Sequence, residues 1–182
     1  MTGNSATVER AWHSDAPQGT EQTHTLVVLV EDRPGAVDRV VGLFRRRRAS
    51  LQTLALGPSE QTGVMRFTAV VNDSEVGIDH VVEQLRKVVD VKQVVNLTDK
   101  QAVSRELALI KVNGTTASFN AIIELGCSFG ARVVEATAET ITLEATGSSE
   151  QIEQLVSQLQ AYGIREIARS GKVALTRTTK NV

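Results

Sequence analysis

The sequence contains a single cysteine, Cys127, in 182 residues. One thiol excludes a disulfide framework and a cysteine-rich metal centre, and it fits a reducing compartment such as the cytoplasm. Aromatic residues make up only 3%, so a core has to be built from Val, Leu, Ile and Ala, and the 41% of apolar residues is enough to build one. The formal net charge is −1, which gives no overall bias toward nucleic acid or an anionic membrane. Nothing approaches the ~18 apolar residues that a membrane span needs. The longest run, Leu26 to Val30, is strand-sized. No basic region followed by an apolar stretch opens the chain, so no secretory signal is expected. Catalytic signatures are missing as well. There is no P-loop and no G-x-G-x-x-G, and His13, His24 and His80 form no H-x-x-x-H or H-E-x-x-H pair, so a metal site lacks ligands. Cys127 follows Gly126 in an apolar setting with no histidine nearby, which points to a buried structural thiol rather than a nucleophile.

What the chain does contain is an ordered alternation of two hydrophobic periods. His24–Val30 is a nearly continuous apolar run, the pattern of a buried strand. Val37, Val40, Val41 and Phe44 then fall at helical spacing, and Arg45 to Arg48 close that helix where positive charge suits the macrodipole. Strands are expected over Leu51–Leu56, stopped by Gly57-Pro58, and over Val64–Val71. Asn72-Asp73-Ser74 is expected to turn and cap a helix carrying Ile78, Val81, Val82, Leu85 and Val88, and Val89–Leu97 is a fourth strand. The order β-α-β-β-α-β is the split βαβ, or ferredoxin-like, arrangement, an α+β fold. It recurs: a strand over Glu106–Val112, a helix with Phe119, Ile122, Ile123 and Leu125, strands over Ala131–Thr137 and Ile141–Ala145, a helix opened by Gly147-Ser148-Ser149, and a strand over Gly163–Ala168 that Val173–Thr176 extends after a Ser170-Gly171 break. Two domains of ~75–80 residues fit the length. The expected division is a disordered tail over 1–22 (with Trp12), a first domain over 23–97, a linker over 98–104, a second domain over 105–178 and a short tail over 179–182.

The junction Glu31-Asp32-Arg33-Pro34-Gly35 is the most informative place. Gly35 lets backbone approach a ligand closely, and the first amides of the helix from Ala36 are unpaired donors that suit a carboxylate. Asp32 offers an acceptor for an ammonium group, so the turn has the complement of an α-amino acid. The commoner reading of such a sequence is an ordinary βα turn shaped by Pro and Gly. Arg45-Arg46-Arg47-Arg48 invites a nucleic-acid reading, but the run is short, ends a helix and has no interleaved aromatics. A solvated terminus or a protein contact accounts for it better.

The segment Val30-Glu31-Asp32-Arg33-Pro34-Gly35-Ala36-Val37, followed by Arg39-Val40-Val41-Gly42-Leu43-Phe44, resembles an ACT domain. With Gln52-Thr53-Leu54, Leu85-Arg86-Lys87-Val88-Val89-Asp90-Val91, Arg105–Val112 and Glu166–Arg177, the chain is similar from about Thr23 to about Thr178 to the regulatory small subunits of acetohydroxyacid synthase, also called acetolactate synthase. The last segment carries most of the specificity. The resemblance implies a noncatalytic subunit that activates a catalytic partner and confers feedback inhibition by valine or another branched-chain amino acid. It implies that thiamine diphosphate, Mg and FAD sit on that partner and none on this chain, and that no nucleic acid or membrane is involved. It also implies a homodimer with the effector between its two ACT domains, half the site coming from the neighbouring chain; the effector-binding positions are Asp32, Arg33, Pro34, Gly35, Ala36 and Val37 and, opposite them, Ser50 and Leu51.

Two positions depart from the family pattern. Arg48-Ala49-Ser50-Leu51 stands where Gly-aromatic-Asn-Ile is common, and Asp32 stands where Asn is common. An Asn amide both donates and accepts, whereas Ser50 has one hydroxyl. One lost hydrogen bond costs about 0.5–1.5 kcal/mol, which implies weaker valine binding. The alternatives are a free-standing ACT-type amino-acid sensor acting on a different enzyme or regulator, and a small enzyme on a ferredoxin-like scaffold, which fold alone does not exclude. The C-terminal segment Ala168-Arg169-Ser170-Gly171-Lys172-Val173-Ala174-Leu175-Thr176-Arg177 favours the small subunit.

Overall fold

A computed structural model of the chain describes residues 22–73, 77–97, 102–115 and 118–177. Trp12, nearly all of the expected N-terminal tail, part of the expected linker and residues 179–182 lie outside them. The first unit runs β1 (Gln22–Glu31), α1 (Ala36–Arg46), β2 (Ser50–Pro58), β3 (Val64–Asp73), α2 (Ile78–Arg86) and β4 (Val91–Leu97). The second runs β5 (Ala102–Asn113), α3 (Phe119–Ser128), β6 (Arg132–Ala136), β7 (Thr140–Gly147), α4 (Ser149–Leu159), β8 (Ile164–Arg169) and β9 (Val173–Thr176). The sheets have strand orders β2-β3-β1-β4 and β6-β7-β5-β8. These are the same permutation, and every pairing is antiparallel. The chain is thus two consecutive βαββαβ units of the ferredoxin-like class.

The β1 run is continuous because both of its faces are covered. Leu26, Val28 and Val30 join Val40, Leu43 and Phe44 of α1 and Val81, Val82 and Leu85 of α2 in one core. Val27, pointing the other way, packs with Leu97 and with Ala174 of β9. The second unit repeats the first core with Ala108, Ile110 and Val112 under α3 and α4. Strand β5 is long enough to serve both purposes. Residues 106–113 pair with β7, and residues 102–105 pair with β9, which lies against the back of the first sheet. Arg66 fastens the contact by donating from Nη2 to the Ala174 carbonyl at 2.8 Å.

Five local expectations need correction. Residues 102–104 are strand rather than linker, because β9 supplies a pairing partner distant in sequence. Gly57 and Pro58 end β2 from inside it; β2 is an edge strand, where proline's missing N–H costs no ladder bond. Asn72 and Asp73 are still in β3, and Gly77 is the residue before α2. Strand β4 starts at Val91, and Val89 is 85% exposed in the preceding turn. Cys127 is exposed rather than buried. Ile122 and Gly126 face the sheet, and the next residue lies about a quarter-turn further round the helix, in solvent.

The end of α1 puts Arg48 in a position that suits glycine. Ala49 N–H donates to the Phe44 carbonyl at 3.1 Å and Arg48 N–H to the Arg45 carbonyl at 3.2 Å, the paired bonds of a Schellman C-cap. Arg48 occupies the left-handed position with φ 50°, the one non-glycine among the described residues with positive φ. The matching cap of α3 uses Gly130 at φ 72°. An arginine there meets a Cβ–carbonyl clash of about 1–2 kcal/mol. Part of that is returned in the unfolded state, where glycine has more entropy to lose. Arg48→Gly is therefore expected to stabilise the protein by about 0.5–1 kcal/mol, read as a higher thermal or urea midpoint. An unchanged or lower midpoint would show that the arginine side chain offsets the strain.

Candidate functional site

The turn between β1 and α1 is held by backbone on every side. Glu31 N–H donates to the Asp90 carbonyl at 2.9 Å, and Asp32 N–H to the Gly63 carbonyl at 2.9 Å. Arg33 N–H then turns back to the Glu31 carbonyl, and Ala36 N–H to that of Arg33. Gly35 follows at φ 79° and ψ −3°, the left-handed region that suits glycine, immediately before the helix. No side chain caps α1. Among the described residues the N–H groups of Val37 and Asp38 have no acceptor, so two donors face outward at the positive end of the helix dipole.

Around this backbone the side chains divide by role. Arg33 is folded onto Glu31, Nε to Oε2 at 2.8 Å, and Lys92 reaches the other carboxylate oxygen at 3.3 Å. The charges at 31, 33 and 92 are thereby paired among themselves. Asp32 is exposed, and its carboxylate has no hydrogen-bond or ion-pair partner among the described residues. Ala36 is 1% exposed and Val37 packs on the core, so these two contribute mainly backbone to the turn.

The space beside Gly35 is occupied by Arg39, a residue outside the expected effector positions. Arg39 Nη1 lies 3.0 Å from where a Cβ on residue 35 would be. Its Nε donates to Asp90 Oδ2 at 2.5 Å, and Nη2 reaches the Pro34 carbonyl at 3.4 Å. The hydrogen bond from Arg39, opposed by burial and reinforced by the charges of Arg39 and Arg33, holds the Asp90 carboxyl below the usual carboxylate range. The same bond raises the Arg39 guanidinium above its ordinary value. Because the carboxyl's pKa is depressed on folding, the pair stabilises the fold fully above the unfolded carboxylate range. That stabilisation is lost as pH falls through the depressed value. The sequence signal for this pair was a single charged residue, Asp90, set among the valines that open β4.

Ser50 and Leu51 are not beside the turn. Glu31 pairs with Val64, whereas Ser50 pairs with Asn72, so the two places are separated along β3 by the run from residue 64 to residue 72. At about 3.4 Å per residue that is roughly 27 Å. Ser50 is exposed at the start of the edge strand, and its Oγ accepts from Gln52 Nε2 at 3.0 Å; Leu51 leans into the core. Within one chain the turn and Ser50 with Leu51 are therefore separate places.

Comparison with known proteins agrees with this architecture. Residues 26–93 match the family described as the AHAS small subunit-like ACT domain, and residues 105–178 match that described as the small subunit of acetolactate synthase. The chain is 44% identical over 160 residues to the acetolactate synthase small subunit of Mycolicibacterium smegmatis, covering 88% of this chain and 94% of that protein. The chain belongs to the acetolactate synthase small-subunit family. A probable acetolactate synthase small subunit of Archaeoglobus fulgidus is 37% identical over 157 residues, covering 86% of this chain and 98% of that one. The crystal structure of the Thermotoga maritima acetolactate synthase small subunit superposes with a TM-score of 0.80 at 29% identity, over 87% of this chain and 99% of that one. The turn described above thus lies in the ACT domain of a small subunit. Among the described residues there is no His, Cys, Asp and Glu cluster fit to hold a metal, and no helix long and apolar enough to cross a membrane.

Proposed function

We propose that this chain is the noncatalytic regulatory subunit of an acetolactate synthase, raising the activity of a catalytic partner and conferring inhibition by a branched-chain amino acid. The single observation that carries the effector reading is the turn's pairing of opposite chemistries: two outward N–H donors at the start of α1 and an unpartnered carboxylate on Asp32. An α-amino acid presents a carboxylate to the first and an ammonium group to the second. Thiamine diphosphate, Mg and FAD belong to the partner in this reading.

The site is completed by a second copy. Strand β2 is an edge, and α1 packs over β1 and β2. If two β2 strands pair antiparallel, Ser50 of one chain is carried to the Pro58 end of the other, the end at which the other chain's turn lies. A homodimer through the ACT domains therefore closes the gap between the turn and Ser50 with Leu51, and it also covers an open edge.

The test is acetolactate formation by the cognate catalytic subunit, with and without this chain, across a valine titration. Activation with inhibition is expected. The inhibitory concentration should be several-fold higher than for a Ser50→Asn variant, since Asn restores a second hydrogen-bonding group, a gain of about 0.5–1.5 kcal/mol. Activation that no branched-chain amino acid reverses would remove the effector site while keeping the subunit. Absence of activation would remove the regulatory reading altogether.

A further inference from the structure

We propose that Arg39 and Asp90 are a positioning pair that sets the effector affinity of the β1–α1 turn without touching the effector. This inference rests on the effector reading above. The pair ties the β1–α1 turn and the first turn of α1 to the residue before β4, fifty-one residues further along the chain. The Asp90 main chain holds the end of β1 through its carbonyl, and its carboxylate, 4% exposed, receives Arg39 Nε. Arg39 in turn holds the turn twice. Its own N–H donates to the Gly35 carbonyl at 3.0 Å, and its Nη2 faces the Pro34 carbonyl.

The guanidinium plane is therefore braced between a buried carboxylate on one side and the Pro34-Gly35 backbone on the other. Gly35 has no Cβ, and Arg39 Nη1 sits in that vacancy. The glycine thus serves the brace as well as the left-handed turn. The donors of Val37 and Asp38 are aimed before any ligand arrives, and binding has less ordering to do. A ligand's affinity falls by the fraction of time its competent state is absent. Removing Asp90 leaves the Arg39 guanidinium without its anchor, and removing Arg39 takes the guanidinium from the Pro34-Gly35 backbone. The main-chain bonds of the turn remain, but its aim loosens, and affinity drops even though every group that faces the ligand is still present.

The experiment is calorimetric titration of the full chain with L-valine, L-leucine and L-isoleucine, each as a separate probe, with thermal melts run in parallel. Asp90→Asn and Arg39→Gln are compared with wild type, with their double variant, and with Val81→Ala. Val81 is 1% exposed in the α2 core and makes none of the brace's contacts, and its truncation lowers stability while leaving the Arg39–Asp90 pair in place. Asp90→Asn removes the buried charge, whereas Arg39→Gln leaves the Asp90 carboxylate buried without its cation, so Asp90→Asn keeps a folded chain for the test even if Arg39→Gln does not. Each brace variant is expected to bind about ten-fold more weakly or worse. The double variant should be no weaker than either single one, as for two halves of one device, and Val81→Ala should bind as wild type. Wild-type affinity in either folded brace variant overturns the proposal. So does equal weakening in Val81→Ala, which would mark a general stability effect. Wild type that binds none of the three amino acids overturns the effector reading itself, and this proposal with it.

Discussion

Gly35→Asp removes amino-acid inhibition from the assembled enzyme while activation persists: that is the expected result with the largest functional effect. Three physical terms act together at this one position. Residue 35 sits at φ 79°, where a side chain is strained. Its Cβ would meet Arg39 Nη1 at 3.0 Å, so the guanidinium must move. The added carboxylate then competes with Asp90 for Arg39 and stands at the helix start, where the proposed site would take the effector carboxylate. Two like charges about 4 Å apart repel by about 1 kcal/mol in water and about 4 kcal/mol near a protein surface. The inhibitory concentration should therefore rise about 100-fold or more. Gly35→Ala shares the strain but lacks the charge, and should lose less. Inhibition of Gly35→Asp at the wild-type valine concentration would move the effector elsewhere.

The largest expected effect on stability lies in the second unit. Glu106 of β5 has a side chain 2% exposed, and Arg169 at the end of β8 grips its Oε1 through both Nε and Nη2. Ser149 adds a donor to Oε2 at 3.3 Å, and Arg169 Nη1 reaches Glu153 at 2.9 Å. Burial works against the charge on Arg169, but the bonds to Glu106 and Glu153 outweigh it and raise the guanidinium above its ordinary value. Arg169→Leu leaves the Glu106 carboxylate buried and uncompensated, and is expected to cost about 3–5 kcal/mol. Urea unfolding measures this directly. Adding Glu106→Leu should recover much of the loss, because two apolar groups do not leave a lone buried charge. A loss below about 1 kcal/mol would place the pair with ordinary surface ion pairs, which contribute little.

Both sites show where sequence reading was strong and where it was not. The strands and helices follow from local period: β1 from a continuous apolar run, α1 and α2 from residues three and four apart, and the start of α4 from Ser148, which with Gln151 forms a full capping box. Turn chemistry located the loop at Gly35 as a place for close approach to a ligand, whereas the structure gives that glycine a left-handed φ of 79° and sets Arg39 against its bare face. Arg39 and Asp90 were present in the string as a helix-surface charge and a strand-opening acid, fifty-one residues apart. Local pattern assigns each to its own element and gives no sign that they meet. Leu107 and Leu109 of β5 are a similar case. They alternate with Ala108 and Ile110 and are as apolar, yet they face outward and are more than a third exposed.

By itself, then, the sequence determined the order of elements, the doubled βαββαβ architecture, the core faces of the helices and the family, because all of these are written in short-range periodicity and in matched segments. Only the tertiary structure decided which residues of the turn lend backbone and which lend side chains, that Arg39 lies against the bare face of Gly35, and that Ser50 stands roughly 27 Å along the sheet from the turn of its own chain. Those are consequences of antiparallel register and of helix direction, which bring distant residues together and carry near ones apart, and no local pattern encodes them.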